Sequence, residues 1–391
     1  MHGQPGHVVP RVMDDTSYER LPSTKCNAIG FRDLCQRFEL VQKCRDAKKK
    51  VKILFSQGLR EYLHVDGQSV YPLMRLVLPR IDRERGNYGV QVKSLITLYI
   101  DVLGLTKASS AAQRLKNWKL PNYGLPGAGE SSLAGNFPRT LEEVLENRVG
   151  GQKKLTIGDV NARLDKLCQL SGAAARKKWL MELIRDCTAQ EHKWIARIIL
   201  KEVRVGLNED RVLAFYHPDA LEMYNTCTDL RKVLDTLTDP RVRVSQQVQL
   251  GVPFAPMLAK RMKTFTVKGA MAGFEFVMEP KLDGERIICH KNGDDVKMFT
   301  RNGNDYSANY LPNMRQYIKS NILAEQCILD GEMLAWDDLT KSFIPFGTNR
   351  TIAAEQQIHQ NMNSQRSSNA AAEGGRGDDT DPGLPAHFLP C

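Results

Sequence analysis

What this sequence lacks narrows it first. Its nine cysteines, Cys26, Cys35, Cys44, Cys168, Cys187, Cys227, Cys289, Cys327 and Cys391, include no CxxC pair, and no histidine stands at zinc-finger spacing from any of them. Reduced thiols are expected, with neither a disulfide framework nor a structural zinc. His192 and His217 lack a metal-ligand set beside them and are expected to make ordinary hydrogen bonds. No basic segment followed by an apolar run opens the chain, and no stretch approaches the ~20 apolar residues that would cross a bilayer. A soluble intracellular protein without a membrane partner is expected. Internal repeats of diagnostic length are also missing. The run Lys48-Lys49-Lys50 is too short to be read as more than a solvated helix surface.

What is present is enough for two or three domains: 391 residues, 42% of them hydrophobic, with 55 Lys and Arg against 45 Asp and Glu and a formal charge of +10. That excess favours a polyanionic partner such as nucleic acid without proving one. Residues 1–29 mix Gly, Pro, Ser and charge without periodicity and read as a flexible leader. From Phe31 to about 240 the apolar residues recur at helical spacing, as in Leu34, Phe38, Val41 and Tyr71, Met74, Leu78. Pro72 suits the first turn of a helix. Thr156 and Asp159 form a capping-box pattern, and residues 122–136 read as a surface loop. Trp194 is expected in the core.

The pattern changes near 240–250, where a linker is expected. Beyond it Phe274 to Glu279 reads as a strand, Arg286 to Lys291 and Val296 to Arg301 as a hairpin around Asn292-Gly293, Leu311 to Ile322 as a helix, and Cys327 to Leu334 as another strand. After about 357 the low-complexity composition predicts disorder. The domains expected are therefore a leader at 1–29, a helical domain at 30–245, an α+β domain at 246–356 and a disordered or aberrant tail at 357–391.

The sharpest local signal is Glu279-Pro280-Lys281-Leu282-Asp283-Gly284-Glu285-Arg286, at the join of two expected strands. A lysine amine so placed can attack the α-phosphorus of ATP and expel pyrophosphate, provided part of it is deprotonated. Gly284 allows close backbone approach, and Arg286 and Arg301 offer guanidinium forks for phosphate oxygens. Taken alone, Lys-Leu-Asp-Gly also makes an ordinary charged hairpin, Glu332 a solvated strand carboxylate, and Asp283 a support for turn amides.

In company, these residues resemble motif I of the covalent nucleotidyltransferases, followed in family order by Phe299-Thr300-Arg301-Asn302-Gly303 and Asp330-Gly331-Glu332. With Tyr71-Pro72-Leu73-Met74-Arg75-Leu76, Arg83-Glu84-Arg85, Tyr88-Gly89 and Lys193 through Lys201, the chain resembles the eukaryotic ATP-dependent DNA ligases, more narrowly the DNA ligase IV family of nonhomologous end joining, over about Phe31 to Glu355. The resemblance implies a multidomain fold: a mostly α-helical DNA-binding domain followed by an incomplete α+β adenylation domain. It implies that Lys281 takes AMP, that Glu279 lies beside the adenine, that Arg286 and Arg301 meet nucleotide or the nicked strand, and that Glu332 contacts ribose or organises metal. ATP and Mg²⁺ are the implied cofactors. Nicked or broken duplex DNA and end-joining factors are the implied partners, and the nucleus the implied place.

Pro280 stands where related ligases carry threonine, which implies tuning rather than loss. Family features beyond Glu332 are not recognisable, nor is the segment that binds a coiled-coil scaffold, so this chain is expected to be poorly active. The alternatives are a noncatalytic DNA-binding fragment or another covalent nucleotidyltransferase. Lys193, Arg197 and Lys201, four residues apart, would form a basic stripe on one helix. Its functional reading is sequence-independent contact with DNA phosphates, and its bland reading a solvated face.

Overall fold

The computed structural model describes residues 11–12, 19–56, 58–86, 88–120, 135–241, 243–245, 247–259, 262, 267, 269–337, 340–344 and 386–390. They fall into two compact units. The first runs to Tyr224 and resumes from Asp229 into the 240s; the second takes Asn225–Thr228 and continues from Gln247.

The first unit is helical: α1 (Thr24–Asn27), α2 (Phe31–Lys43), α3 (Ala47–Leu54), α4 (Tyr71–Val77), α5 (Val92–Val102), α6 (Ser110–Lys116), α7 (Phe137–Leu145), α8 (Ile157–Gln169), α9 (Ala173–Asp186), α10 (Ala189–Ile199), α11 (Glu209–Tyr216), α12 (Ala220–Cys227) and α13 (Leu230–Thr236). Two short strands, β1 (Arg11–Val12) and β2 (Val244–Ser245), pair in parallel. Local chemistry fixes several helix starts. Pro72 occupies the first turn of α4, where a missing N–H costs nothing. Thr156 and Asp159 close a reciprocal capping box on α8, and Thr188 and Glu191 do the same for α10. The apolar stripe of α2, Phe31, Leu34, Cys35, Phe38 and Val41, is fully buried, and the Phe38 ring packs tilted at 4.6 Å from that of Trp194 on α10. Trp194 is a core residue whose indole N–H donates to Glu39 at 2.9 Å.

Order begins earlier than the periodicity suggests. Cys26 and Ile29 are buried, Ser69 N–H donates to the carbonyl of Pro22 at 2.7 Å, and Ile157 N–H to that of Ile29 at 2.8 Å. Backbone bonds to distant partners hold residues 19–29, and such bonds leave no periodic trace in the sequence. The expected loop at 122–136 lies outside the described residues except for Gly135 and Asn136.

In the second unit β3 (Glu285–Asn292), β4 (Asp295–Thr300), β5 (Gln326–Asp337) and β6 (Ser342–Phe343) form an antiparallel sheet in the order β4-β3-β5-β6, and β7 (Ala386–Pro390) pairs with β5. Gly293, at φ 57°, begins the two-residue turn between Asn292 and Asp295. Gly is at no penalty there. Alternation along the strands sends Ile287, Cys289, Val296, Met298 and Met333 to one face, where they pack on Tyr310, Leu311, Met314 and Ile318 of α14 (Ser307–Asn321). Arg286, Ile288 and His290, opposed by Glu332, Asp330 and Ile328, fall on the other face.

Two expectations fail in this unit. Phe274 to Glu279 is not a strand: it has no ladder partner among the described residues, and Phe274, Phe276, Val277 and Met278 stand exposed. A β-branched and aromatic run becomes a strand only where a neighbour takes up its amides and covers a face. Conversely, residues 386–390, within the tail expected to be disordered, align with Gly331–Ala335 of β5. The rest of that tail lies outside the described residues.

Candidate active site

Lys281 lies four residues before β3, in a segment of irregular backbone that the sheet does not cover. Its ammonium is exposed, and the polar contact it makes is a long one, 3.5 Å, to the carbonyl of the adjacent Leu282. A side chain so loosely held can swing toward a ligand. The turn behind it is held firmly. Gly284 N–H donates to Glu332 Oε1 at 3.0 Å. A Cβ at position 284 would lie 2.4 Å from the carbonyl oxygen of Met333 and 2.6 Å from Leu334 Cδ2, so only glycine lets the chain pass this close to β5. The need for glycine here is one of space.

Directly after the turn, Arg286 faces Glu332 across the β3–β5 ladder. Its Nε donates to Asp330 Oδ1 at 2.8 Å, Nη2 pairs with the other carboxylate oxygen, and Nη1 donates to the carbonyl of Met257 at 3.2 Å. This fork on a carboxylate is strongly directional. Asp330 therefore belongs to the site, as the group that aims Arg286. Four residues further along β3, His290 is buried and its Nδ1 accepts the N–H of Gly251 at 3.0 Å. Burial, reinforced by Lys297, depresses its pKa to about 4, so the ring is neutral.

An exposed lysine just ahead of β3, a glycine turn locked to a carboxylate, and an arginine aimed by a second carboxylate are thus brought together at one end of the sheet. Two family models match in tandem, the DNA ligase N terminus over residues 30–217 and the ATP dependent DNA ligase domain over residues 256–371. The chain belongs to the ATP-dependent DNA ligases. Among curated ligases, DNA ligase 4 of Coprinopsis cinerea is 35% identical over 363 residues, 89% of this chain and 35% of that protein. DNA ligase 4 of Gallus gallus is 36% identical over 346 residues, 83% and 37% of the two chains, and that of Arabidopsis thaliana 38% over 328 residues, 83% and 26%. This ligase chain thus spans little more than a third of the length of the curated relatives it matches, or less.

The remaining ligase residues singled out from sequence are scattered. Glu279 is exposed in the irregular segment before Lys281, and Arg301 is exposed just past the end of β4. The turn amide next to Asp283 finds its acceptor in Glu332 rather than in Asp283. Among the described residues no cluster of three or more His, Cys, Asp or Glu could cage a metal.

The basic stripe on α10 is a correction. Lys193 and Arg197 are buried, 2% and 3% exposed, not solvent-facing. Lys193 Nζ pairs with Glu39 and, at 3.0 Å, with Glu142; Arg197 donates to Asn136 Oδ1 at 3.1 Å and to the carbonyl of Val203. Lys201 is half-buried, donates to the carbonyl of Arg85 at 3.0 Å, and has its pKa lowered by burial. A four-residue period marks one helix face without saying what covers it. Here α2 and α7 do, and they bring the carboxylates. The matched run Tyr71 to Leu76 is likewise internal, as are Asp82 and Arg85: Arg75 joins Asp82 at 3.0 Å, Arg85 joins Asp165 at 2.8 Å, and Asn161 Nδ2 donates to the carbonyl of Pro72.

Sequence reasoning quoted Asp330 only as part of the Asp330-Gly331-Glu332 motif, without a role, and did not single out His290. Asp330 carried a signal, since it and Arg286 fall on facing strands with opposite charge; His290 carried none, because its partner is a backbone amide 39 residues away.

Proposed function

We propose that the protein to which this chain belongs seals nicks and breaks in duplex DNA in the nucleus, alongside other end-joining factors, using ATP, with Lys281 as the AMP acceptor. The observation that carries this reading is the exposed Lys281 amine placed immediately before the Gly284 to Glu332 lock and the Arg286 to Asp330 fork. In the first step the deprotonated Nζ of Lys281 attacks the α-phosphorus of ATP; an N–P bond forms, the bond to the leaving oxygen breaks, and pyrophosphate departs. One proton has already left the ammonium, and a second leaves the nitrogen as the N–P bond forms; both pass to solvent. A DNA 5′-phosphate oxygen then takes AMP from Lys281, returning the amine. The adjacent 3′-hydroxyl attacks that 5′-phosphorus, loses its proton and expels AMP.

Glu279 and Arg301 line the approach to Lys281 in this reading, and Arg286 supplies a charge whose direction Asp330 sets. A magnesium ion would stabilise the charge on the phosphates. Mg²⁺ commonly takes one or two carboxylates and completes its shell with water and phosphate. Glu332, a single half-buried carboxylate beside the turn, fits that requirement without a protein cage.

With α10 buried, contact with DNA shifts to the end of α2 and to α3. Lys43, Arg45, Lys48, Lys49 and Lys52 are exposed within ten residues, and the acidic residue among them, Asp46, caps α3 by accepting from the N–H groups of Lys48 and Lys49. Such a cluster reads phosphate and not sequence. Incubation with labelled ATP and Mg²⁺ should place label on the whole protein to which this chain belongs and none on its Lys281→Ala variant. Label surviving the substitution would end the assignment. Charge reversal at Lys48, Lys49 and Lys52 should weaken binding to unrelated duplexes alike and flatten the salt dependence, by about 0.9 in logarithmic slope for each phosphate no longer neutralised. Unchanged salt dependence would place the DNA elsewhere.

A further inference from the structure

The segment Gly251–Met257 crosses the face of the sheet that carries Arg286 and His290, and it is fastened at several points. Gly251 N–H donates to His290 Nδ1 at 3.0 Å, and the ring of Phe254 lies 5.9 Å from the imidazole. Thr228 Oγ1 donates to the carbonyl of Pro253 at 2.7 Å, and Ala255 N–H to that of Asn225 at 2.7 Å. At its far end the carbonyl of Met257 receives Arg286 Nη1 at 3.2 Å. The imidazole is wedged on its other side by Phe299, edge to face at 5.0 Å.

Because a backbone N–H can only donate, the Nδ1 it meets must present a lone pair, which fixes the tautomer with the proton on Nε2. The buried ring can neither turn nor exchange this partner without leaving Gly251 N–H unsatisfied. One end of the strap is thereby pinned to β3 at position 290, and the other end touches β3 at position 286.

We propose that His290 is a positioning residue of the nucleotide site: by accepting the Gly251 N–H it holds the strap so that the Met257 carbonyl and Asp330 together fix the direction of the Arg286 guanidinium. The proposal rests on the ligase reading for the use made of Arg286, but the geometry it asserts can be tested without ATP or DNA. His290 itself touches no reacting atom.

The test compares the native chain with His290→Asn, which retains an acceptor near the Nδ1 position, and His290→Phe, which retains the ring and loses the acceptor. Amide exchange over residues 247–257 and the ¹⁵N-resolved side-chain Nε–H resonance of Arg286 are read beside the thermal midpoint. His290→Phe is expected to speed exchange of the Gly251 amide at least about tenfold, which corresponds to about 1.4 kcal/mol of lost protection. It should also move the Arg286 resonance toward that of a free arginine, while His290→Asn keeps both signals near native. Phe254→Ala loosens the strap from its own side with His290 intact, and it should move the Arg286 resonance in the same direction, which keeps the proposal testable where His290→Phe fails to fold. An Arg286 resonance that stays native in both strap-loosening variants would overturn the proposal and leave the ligase reading standing; absence of ATP-derived label on Lys281 of the whole protein would do the reverse.

Discussion

Lys193 and Lys281 are the same residue type put to opposite uses in the two units. Lys193 lies on a helix in a recognisable four-residue rhythm and is buried between two carboxylates; Lys281 follows irregular backbone and is held by almost nothing. Periodicity identifies which residues share a face, and packing alone decides whether that face is wet. A nucleophile needs the second setting, because a lysine bound to two carboxylates has no lone pair to offer.

Breaking the first setting should have the largest effect. In Lys193→Ala the half-buried Glu39 loses its cation and the buried Glu142 is left with Arg139 alone, and removal of one partner from a buried ion pair costs about 3–5 kcal/mol. Denaturant unfolding should show that loss as a lower midpoint with an unchanged slope. A loss below about 1 kcal/mol would mean that the pair is solvated and the face open to phosphates after all.

In the second unit the comparable point of rigidity is the turn after Lys281. Gly284→Ala drives a methyl against the Met333 carbonyl and Leu334, so either β3 shifts from β5 or the bond to Glu332 opens. Overpacking of this kind costs about 1–3 kcal/mol. The loss should appear in the second unit, as faster amide exchange in β3 and β5 with the helical unit unaffected. A substitution that leaves exchange in both strands native would show that the turn has slack.

Acid should act on both units in the same direction. Burial depresses His192 to about 3 and His290 to about 4, and His64 is also lowered. The unfolded chain protonates these rings near 6.5. Neutral burial therefore contributes its full stability above about pH 6.5 and loses it as pH falls from there toward 4, since only the unfolded state gains protons across that window. The denaturation midpoint should decline over it, and His192→Gln, which cannot titrate, should decline less steeply. Equal slopes for the two proteins would assign the acid loss to other groups.

Much of this fold is legible in the residues themselves. The capping box at Thr156 and Asp159, Pro72 in the first turn of α4, the Asn292-Gly293 turn and the core place of Trp194 all follow from local chemistry, and the structure has each of them. What was not legible depends on partners remote in sequence. The strand expected at 274–279 needs a neighbour to exist, residues 19–29 of the expected leader are held by Ser69, Ile157 and Asp235, and the burial of Lys193 is decided by Glu39 and Glu142. Within the site, the Lys281 and Glu332 motifs could be picked out in advance, but not the bond from Gly284 N–H to Glu332. Opposite charge on facing strands pointed to the anchoring of Arg286 by Asp330, whereas the strap left no trace, because it arises from a crossing segment.

The smallest expected effect is the most discriminating. Lys281→Ala should leave the thermal and denaturant midpoints of the chain where they are. The exposed ammonium gives up only a 3.5 Å approach to its neighbour's carbonyl, and no buried carboxylate depends on it. The same change removes the sole proposed acceptor of AMP. The two lysine variants then separate cleanly: Lys193→Ala loses stability in proportion to its buried partners, and Lys281→Ala loses chemistry with its fold intact. A lowered midpoint in Lys281→Ala would show that this lysine is anchored in the folded protein. The freedom on which its proposed role as a nucleophile depends would then be lost.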